Sequence, residues 1–431
     1  MRSKKPFSPA KPIFVVFLTL LLASAIATAQ TQQAQQAQTF KVLHTFHGKD
    51  GANPTDVLIS DTAGNLYGTT GVGGGGNCSG GEGCGTVFKI DKAGNEVWLH
   101  KFNGANGAIP LAGLLRDTSG NLFGTTLEGG DTNCDATYGC GTVFKLDRTG
   151  KKETVLHKFT GDPDGYFPES LLVDDKAENL YGTTYEGGTH SQGTVFRIDA
   201  AGKEKILHSF TGPPDGGGDG AFPDPGVIRD AEGNLYGVTV AGGGSGAGAV
   251  YEVSSSGEET LLYSFSGSDG AQPDSVLLLD AKGNLYGTTQ NGGNSACGGT
   301  GCGVVFELSP QSDGSWSETV LYRFCSVGNC ADGEGPGTGP LVIDRAGYLY
   351  GTTYFGGAYS NCNGGTCGVV FRLDATGKET VLHSFTGGTD GAAPSAGLIM
   401  DSHGNLYGTT QEGGTACYAS STCGVVFKIT P

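Results

Sequence analysis

The sequence predicts an all-β, seven-bladed β-propeller with four-stranded antiparallel blades, and three observations carry that prediction. A unit of about 57 residues recurs seven times around the core Gly-Asn-Leu-Tyr-Gly-Thr-Thr. Its Asn-Leu-aromatic step begins at Asn65, Asn121, Asn179, Asn234, Asn284, Tyr348 (in place of Asn) and Asn405. Within each unit lie four short runs rich in β-branched and aromatic residues, bounded by Gly or Asp, and no stretch keeps a helical period. The chain opens on a lone fourth run, residues 42–46, and ends on a third run, residues 426–429. A ring latched by pairing residues 41–46 with 425–430 satisfies both ends, whereas an open array leaves two bare edges.

The copy from Pro54 to Phe102 shows the pattern. Its runs are 57–60, 65–70, 86–90 and 97–102. Asp61 and Gly64 bracket the first turn, and the same Asp-x-x-Gly recurs at Asp117, Asp230, Asp280, Asp344 and Asp401. Asp opens such a turn by bonding a backbone N–H, and Gly accepts the positive φ that closes it. The third copy has Glu178 in the Gly position, so its turn is expected to be strained or altered. The links from fourth to first run and from second to third run share one face and vary in length. Binding residues concentrate on variable loops carried by a rigid scaffold, so the function is expected on that face.

Residues 1–29 read as a secretory signal: Arg2, Lys4, Lys5 and Lys11, an apolar stretch from Ile13 to Ala27, then small residues. Residues 30–40 read as a Gln/Ala-rich spacer, and 41–431 as one propeller domain. Losing four cations with the signal moves the formal charge from −17 to −21. Such an acidic chain argues against nucleic acid as a partner. Glycine supplies 78 of 431 residues, but at fixed offsets beside β-forming residues, which separates it from disordered low-complexity sequence.

All twelve cysteines fall in close pairs: Cys78/Cys84, Cys134/Cys140, Cys297/Cys302, Cys325/Cys330, Cys362/Cys367 and Cys417/Cys423. The third and fourth copies lack both members rather than one. Paired presence, an even count and an export signal indicate disulfides. Each closes a short loop, a contribution of about 2 kcal/mol by loop entropy. Metal binding needs two pairs to converge; neighbouring pairs are assigned to different blades, so none is expected.

Four sets of residues compete for a functional role. His44, His100, His157, His208 and His383 share one outer-strand position that Tyr263 and Tyr322 fill elsewhere, which suits a half-buried hydrogen-bonding ring. Asp50, Asp164, Asp219, Asp269, Asp332 and Asp390 open an Asp-Gly-x-x-Pro motif, with Asn106 once. They are expected near the channel mouth, either as turn residues or as a ring of oxygen ligands for Ca²⁺. Glu128, Glu186 and Glu412 follow the Thr-Thr step. Aromatics on the variable face include Tyr138, Tyr166, Phe167, Phe222, Tyr354, Phe355, Tyr359 and Tyr418. Rings beside acids suit sugar faces and hydroxyls. The first strands read as alike in all seven copies, which argues against a catalytic channel.

The unit Val381–Phe385, Asp390–Pro394, Gly404–Thr410 and Val426–Ile429 resembles the GloVer tandem repeat of bacterial choice-of-anchor surface proteins, over residues 41–431. The resemblance implies export and display at the cell surface and brings no catalytic residues. No sorting anchor follows Thr430-Pro431, so none is expected at that end. The pattern also looks like that of gluconolactonase-type propellers. The favoured expectation is a monomeric, non-catalytic binding or scaffold propeller, secreted, periplasmic or at the cell surface, for polysaccharide or a surface protein. It needs no cofactor beyond a candidate Ca²⁺. The alternative is a metal-dependent hydrolase or lactonase-like enzyme.

Overall fold

A computed structural model describes residues 38–133, 139–212, 218–360, 362, 365–414, 416–418 and 421–430; the expected signal and most of the spacer lie outside them. Seven antiparallel sheets succeed one another along the chain, and together they form a seven-bladed β-propeller. In blade 1 the strands are Ile59–Ser60, Leu66–Thr70, Thr86–Ile90 and Glu96–Lys101, running from the channel outward. Blade 7 takes its outer strand from the start of the chain: Thr39–Thr45 pairs with Val425–Thr430, in register from Thr39 opposite Thr430 to Thr45 opposite Val425. The latch therefore begins two residues before the expected start. Among the described residues no helix is long and apolar enough to cross a membrane.

The first strands differ most from expectation. Most are two-residue ladders, because the preceding residues leave the sheet to pack between blades. In blades 5 and 6 the strand is split into two segments, and in blade 4 it runs unbroken from Ala221 to Arg229 with a gap in its pairing between Pro223 and Val227. A β-bulge sits at one place in every blade, between Val87 and Phe88 in blade 1 and at the corresponding step elsewhere, adding the twist a blade needs.

Blades are joined by repeated contacts. The Phe ending each outer strand meets the third-strand aromatic of the next blade edge to face. The contact runs Phe46–Phe88, Phe102–Phe144, Phe159–Phe196, Phe210–Tyr251, Phe265–Phe306, Phe324–Phe371 and Phe385–Phe427, with centroids 4.9–5.3 Å apart. Edge-to-face pairs add about 0.5–1.5 kcal/mol each beyond area burial. Their occurrence at all seven boundaries is what a closed ring requires. The Gly of Leu-Tyr-Gly-Thr-Thr is needed here: a Cβ on Gly68 sits 2.6 Å from the Phe88 ring. The first Thr then bonds across to the next blade (Thr69 Oγ1 to Ala112 O, 3.1 Å), and the second to its own sheet partner (Thr70 to Thr86, 2.9 Å).

The Asn-Leu-Tyr step is equally structural. Asp61 accepts the Asn65 N–H, the Asn65 side-chain amide and the Tyr67 hydroxyl, at 2.9, 2.7 and 3.0 Å. The same trio recurs around Asp175, Asp230, Asp280 and Asp401. Glu178 keeps the turn bond to Asp175 O (3.1 Å) at a φ of 60°, so this turn is strained rather than altered.

Candidate ligand site at the channel mouth

The Asp-Gly-x-x-Pro carboxylates do not ring the channel, correcting the expected placement of Asp50, Asp164, Asp219, Asp269, Asp332 and Asp390. Each lies at the rim, hydrogen-bonded to the outer-strand ring that precedes it. His44–Asp50, His157–Asp164, His208–Asp219 and His383–Asp390 are 3.1–3.2 Å apart. The Tyr263 and Tyr322 hydroxyls reach Asp269 and Asp332 at 2.6 and 2.8 Å. The link folds straight back from the outer strand, so its first residue stays with that strand. Where Asn106 replaces Asp, it contacts His100 (3.1 Å) and donates to Glu153 (2.5 Å) of the next blade.

That glutamate recurs in the outer strand of six blades, opening it at Glu96, Glu153, Glu204, Glu259 and Glu379 and standing third in Trp316–Arg323 as Glu318. Burial pushes Glu96, Glu204, Glu259, Glu318 and Glu379 each up to about 7. One oxygen of all six is buried without a hydrogen bond. In blade 7 Phe40 takes the place and stacks on His383 at 3.9 Å. Burial also opposes the charge on Asp50, Asp219 and Asp390, but hydrogen bonds led by those from His44, His208 and His383 outweigh it and hold them below the ordinary value. The rim is thus a repeated electrostatic belt.

The rest of the motif ties blades together. The residue before Pro is left-handed in each link, with φ between 53° and 59° at Asn53, Ile109, Phe167, Phe222, Gln272, Gly335 and Ala393. That twist aims its N–H at a carbonyl of the preceding blade's loop, as in Phe167 N to Cys140 O at 3.1 Å. The residue after Pro then reaches the channel, and there the copies diverge: Thr55, Leu111, Glu169, Asp224, Asp274, Gly337 and Ser395. The residue after Thr-Thr diverges as well: Gly71, Leu127, Tyr185, Val240, Gln290, Tyr354 and Gln411.

Members of both sets meet in one cavity of about 310 Å³ with Thr55, Asp56, Glu169, Asp224, Asp274's partner Gln290, Tyr354, Ser395 and Gln411 in or beside its wall. Gln290 donates to Asp274 at 2.5 Å, and the Tyr354 hydroxyl donates to Gln411 at 3.1 Å. Tyr185 stacks on Phe222 at 5.1 Å. Burial raises Glu169; burial, then repulsion from Asp274 and Glu169, raises Asp224; and burial, then repulsion from Glu169, raises Asp274 against a hydrogen bond with Asp224. Burial also pushes Asp56 up to about 6, against hydrogen bonds from the Val57 and Gly113 N–H groups. The Tyr185 hydroxyl is raised by burial and then by Asp224, Glu169 and Asp274.

A second cavity of about 330 Å³ runs outward between blades 5 and 6 and shares Gln290, Thr338, Tyr354 and Ser395 with the first. It adds Asn291, Glu334 and Phe355, and no lysine or arginine lines either cavity among the described residues. A third cleft, between blades 2 and 3, brings together Tyr166, Phe167 and Glu186. The expected site residues therefore divide. Tyr354 and Phe355 stand at the mouth, with Glu412 close enough to raise the Tyr354 hydroxyl after burial. Tyr166, Phe167 and Glu186 form the separate cleft, where Tyr166 packs beside Cys140. Tyr359 is exposed, and Glu128 pairs by its backbone with Ala108 within blade 2. Tyr138 and the Tyr418 side chain lie outside the described residues.

The disulfides Cys78–Cys84, Cys297–Cys302, Cys325–Cys330 and Cys362–Cys367 are formed as paired in the sequence. Cys140 and Cys423 are also disulfide-bonded, while Cys134 and the Cys417 side chain lie outside the described residues. One assignment is corrected. Cys297–Cys302, in the blade 5 loop, and Cys325–Cys330, in the following link, converge, with all four sulfurs within 4.8 Å of one another.

The sequence profile of the Gloeobacter/Verrucomicrobia repeat matches residues 31–136, 132–364 and 296–431. The chain belongs to this repeat family. No curated protein matches it in sequence. Among solved structures, virginiamycin B lyase from Staphylococcus aureus is similar in fold, with a TM-score of 0.56 at 10% identity over 91% of this chain and 100% of that one. Oligogalacturonate lyase from Vibrio parahaemolyticus gives 0.52 at 10% identity over 92% and 94%. The extracellular domain of a putative one-component system from B. thetaiotaomicron gives 0.53 at 13% identity, over 91% of this chain and 42% of that one. At these identities the likeness is one of fold alone.

Proposed function

We propose that this family member is a secreted or cell-surface binding propeller that takes a neutral or amine-bearing polysaccharide across the channel mouth and the cleft between blades 5 and 6. The observation that carries the reading is divergence in one place: seven copies held alike at the rim become unlike at the residues after Pro and after Thr-Thr. Tyrosine rings supply faces for sugar stacking, and Gln290, Gln411 and the acids supply hydrogen-bonding edges. Asp56, Glu169, Asp224 and Glu334 offer carboxyl edges to hydroxyls and amines, and among the described residues no lysine or arginine lines either cavity to pair with a uronate. A binding screen of neutral, amino-bearing and uronate glycans against the purified protein tests this. Retention of uronates alone refutes it.

The unlike acids also favour a second reading, a metal-dependent hydrolase or lactonase-like enzyme. Against it, the described channel carboxylates do not come within 4.8 Å of one another as a group of three; the group that does is the four cysteines. Metal analysis with thermal shift in Ca²⁺ and in chelator separates the two, since a tight stoichiometric channel ion supports the enzyme.

A further inference from the structure

The convergence of Cys297, Cys302, Cys325 and Cys330 is unlike anything else in the repeat. The link from Cys325 to Pro340 carries a cysteine pair that no other link between blades has. Both pairs have four intervening residues, a spacing used by structural zinc sites. Their sulfurs lie within 4.8 Å of one another, with Cys302 buried and the other three half-buried. Tetrahedral thiolates at about 2.3 Å from a zinc ion are about 3.8 Å from one another, within the 4.8 Å that already bounds these four sulfurs.

The backbone around these sulfurs is held by bonds independent of the disulfides. Gly335 N donates to Cys302 O at 3.0 Å, Gly357 N to Cys330 O at 2.9 Å, and Cys325 N to Gly333 O at 3.1 Å. Buried Asp332 accepts from Tyr322 at 2.8 Å, Ser326 N at 2.8 Å and Val327 N at 3.2 Å, which holds the link's turn. Cys297, Cys325 and Cys330 are all left-handed, with φ of 52°, 57° and 50°, so three of the four are pinned in a conformation the surroundings must impose. Cys297 also lines the cleft between blades 5 and 6, which gives an ion a path from solvent.

We infer that this cluster is a redox-gated metal site: two disulfides when oxidised, and a tetrathiolate holding one Zn²⁺ when reduced. Two equivalents of a dithiol reductant deliver four electrons and four protons, opening both S–S bonds to four thiols. The ion then displaces the thiol protons as it binds. Oxidation by a disulfide-generating oxidant removes four electrons, restores both bonds and releases the ion. The pairs in blades 1 and 6 have no second pair within reach among the described residues, so they are disulfides only.

The test uses Co²⁺ on the full chain reduced under inert gas, because a tetrahedral tetrathiolate gives visible d–d bands and near-ultraviolet thiolate-to-cobalt charge transfer. The expected result is uptake of roughly one equivalent per chain with that signature, its loss on reoxidation, and displacement by Zn²⁺. The double variant C325S/C330S is expected to lose the signature, and C78S/C84S to keep it at full intensity. Retention of the bands in C325S/C330S overturns the inference. So does a reduced chain that takes up no Co²⁺, whether it remains folded by circular dichroism or unfolds without recovery on adding the ion.

Discussion

The rim and the channel mouth are built from the same motif, Asp-Gly-x-x-Pro, and they follow opposite rules. At the rim its Asp pairs with a His or Tyr of the outer strand at six boundaries, with an isosteric Asn at the seventh. Five residues on, the position after Pro holds Thr, Leu, Glu, Asp, Asp, Gly or Ser. A position that must satisfy the same neighbours in every blade cannot vary, whereas one that faces an open channel can. Sameness therefore marks scaffold, and the break in sameness marks the surface free to take on a ligand.

Removing the latch should produce the largest effect of any change at the rim. Deleting residues 39–46 strips blade 7 of its outer strand, the Phe40–His383 stack and the Phe46–Phe88 pair. Loss of a buried Phe alone costs about 3–5 kcal/mol. The expected outcome is a thermal midpoint lowered by many degrees together with association in size-exclusion chromatography. An unchanged, monodisperse deletion variant contradicts the closed ring.

Next in size is the pH response of the belt. The five outer-strand glutamates have ordinary values near 4.5 and folded values of about 7. A raised folded value means the protonated form is favoured in the fold, so this stability is full below about 4.5 and is lost as pH rises through 7. Each contributes about 1–2 kcal/mol once half-exposure is discounted. Asp50, Asp219 and Asp390 act in the other direction, losing stability only below their ordinary 3.8. Thermal midpoints should therefore peak between about pH 4 and 6 and fall toward 8. Glu204→Gln and Glu259→Gln should flatten the fall, and a midpoint that rises from pH 5 to 8 contradicts the belt.

These two regions were not equally legible in the sequence. The blade count, the turn at Asp61–Gly64, the disulfide pairs and the latch each rest on local rules: a period, a turn residue, an even cysteine count, unmatched ends. The His–Asp pairing is half visible: the His/Tyr exchange shows a half-buried hydrogen-bonding ring, but the motif that supplies its Asp partner reads as a turn near the channel mouth. Nothing in residues 44–54 says that the link folds back on the outer strand before crossing inward. Glu169, Asp224 and Asp274 were missed because each follows a Pro in what reads as turn sequence. Comparing the seven copies column by column at that one position would have exposed them. The bulge in each blade and the convergence of two cysteine pairs depend on tertiary geometry, and no spacing rule encodes either.

The mouth offers a sharper contrast with the rim. Tyr354→Ala should weaken glycan binding about tenfold or more, the scale of about 1.4 kcal/mol or greater for an aromatic anchor, with the thermal midpoint little changed. His157→Gln at the belt should leave binding unchanged while altering the midpoint. Equal affinity loss in both variants would mean that binding is spread over the rim, and the mouth is not the site.

The smallest expected effect falls at the one turn that breaks the rim-side pattern. Glu178 holds a φ of 60° where six copies place Gly, and its bond to Asp175 O matches theirs. A side chain in the left-handed region costs about 1–2 kcal/mol, and Glu178→Gly removes that cost. The glycine also loses more backbone entropy on folding, an opposing term of about 0.5–1 kcal/mol. The net gain is therefore about 1 kcal/mol or less, a rise of a few degrees at most, with no change in ligand affinity. A loss of stability would show that the Glu178 side chain contributes something to the scaffold that the turn geometry does not.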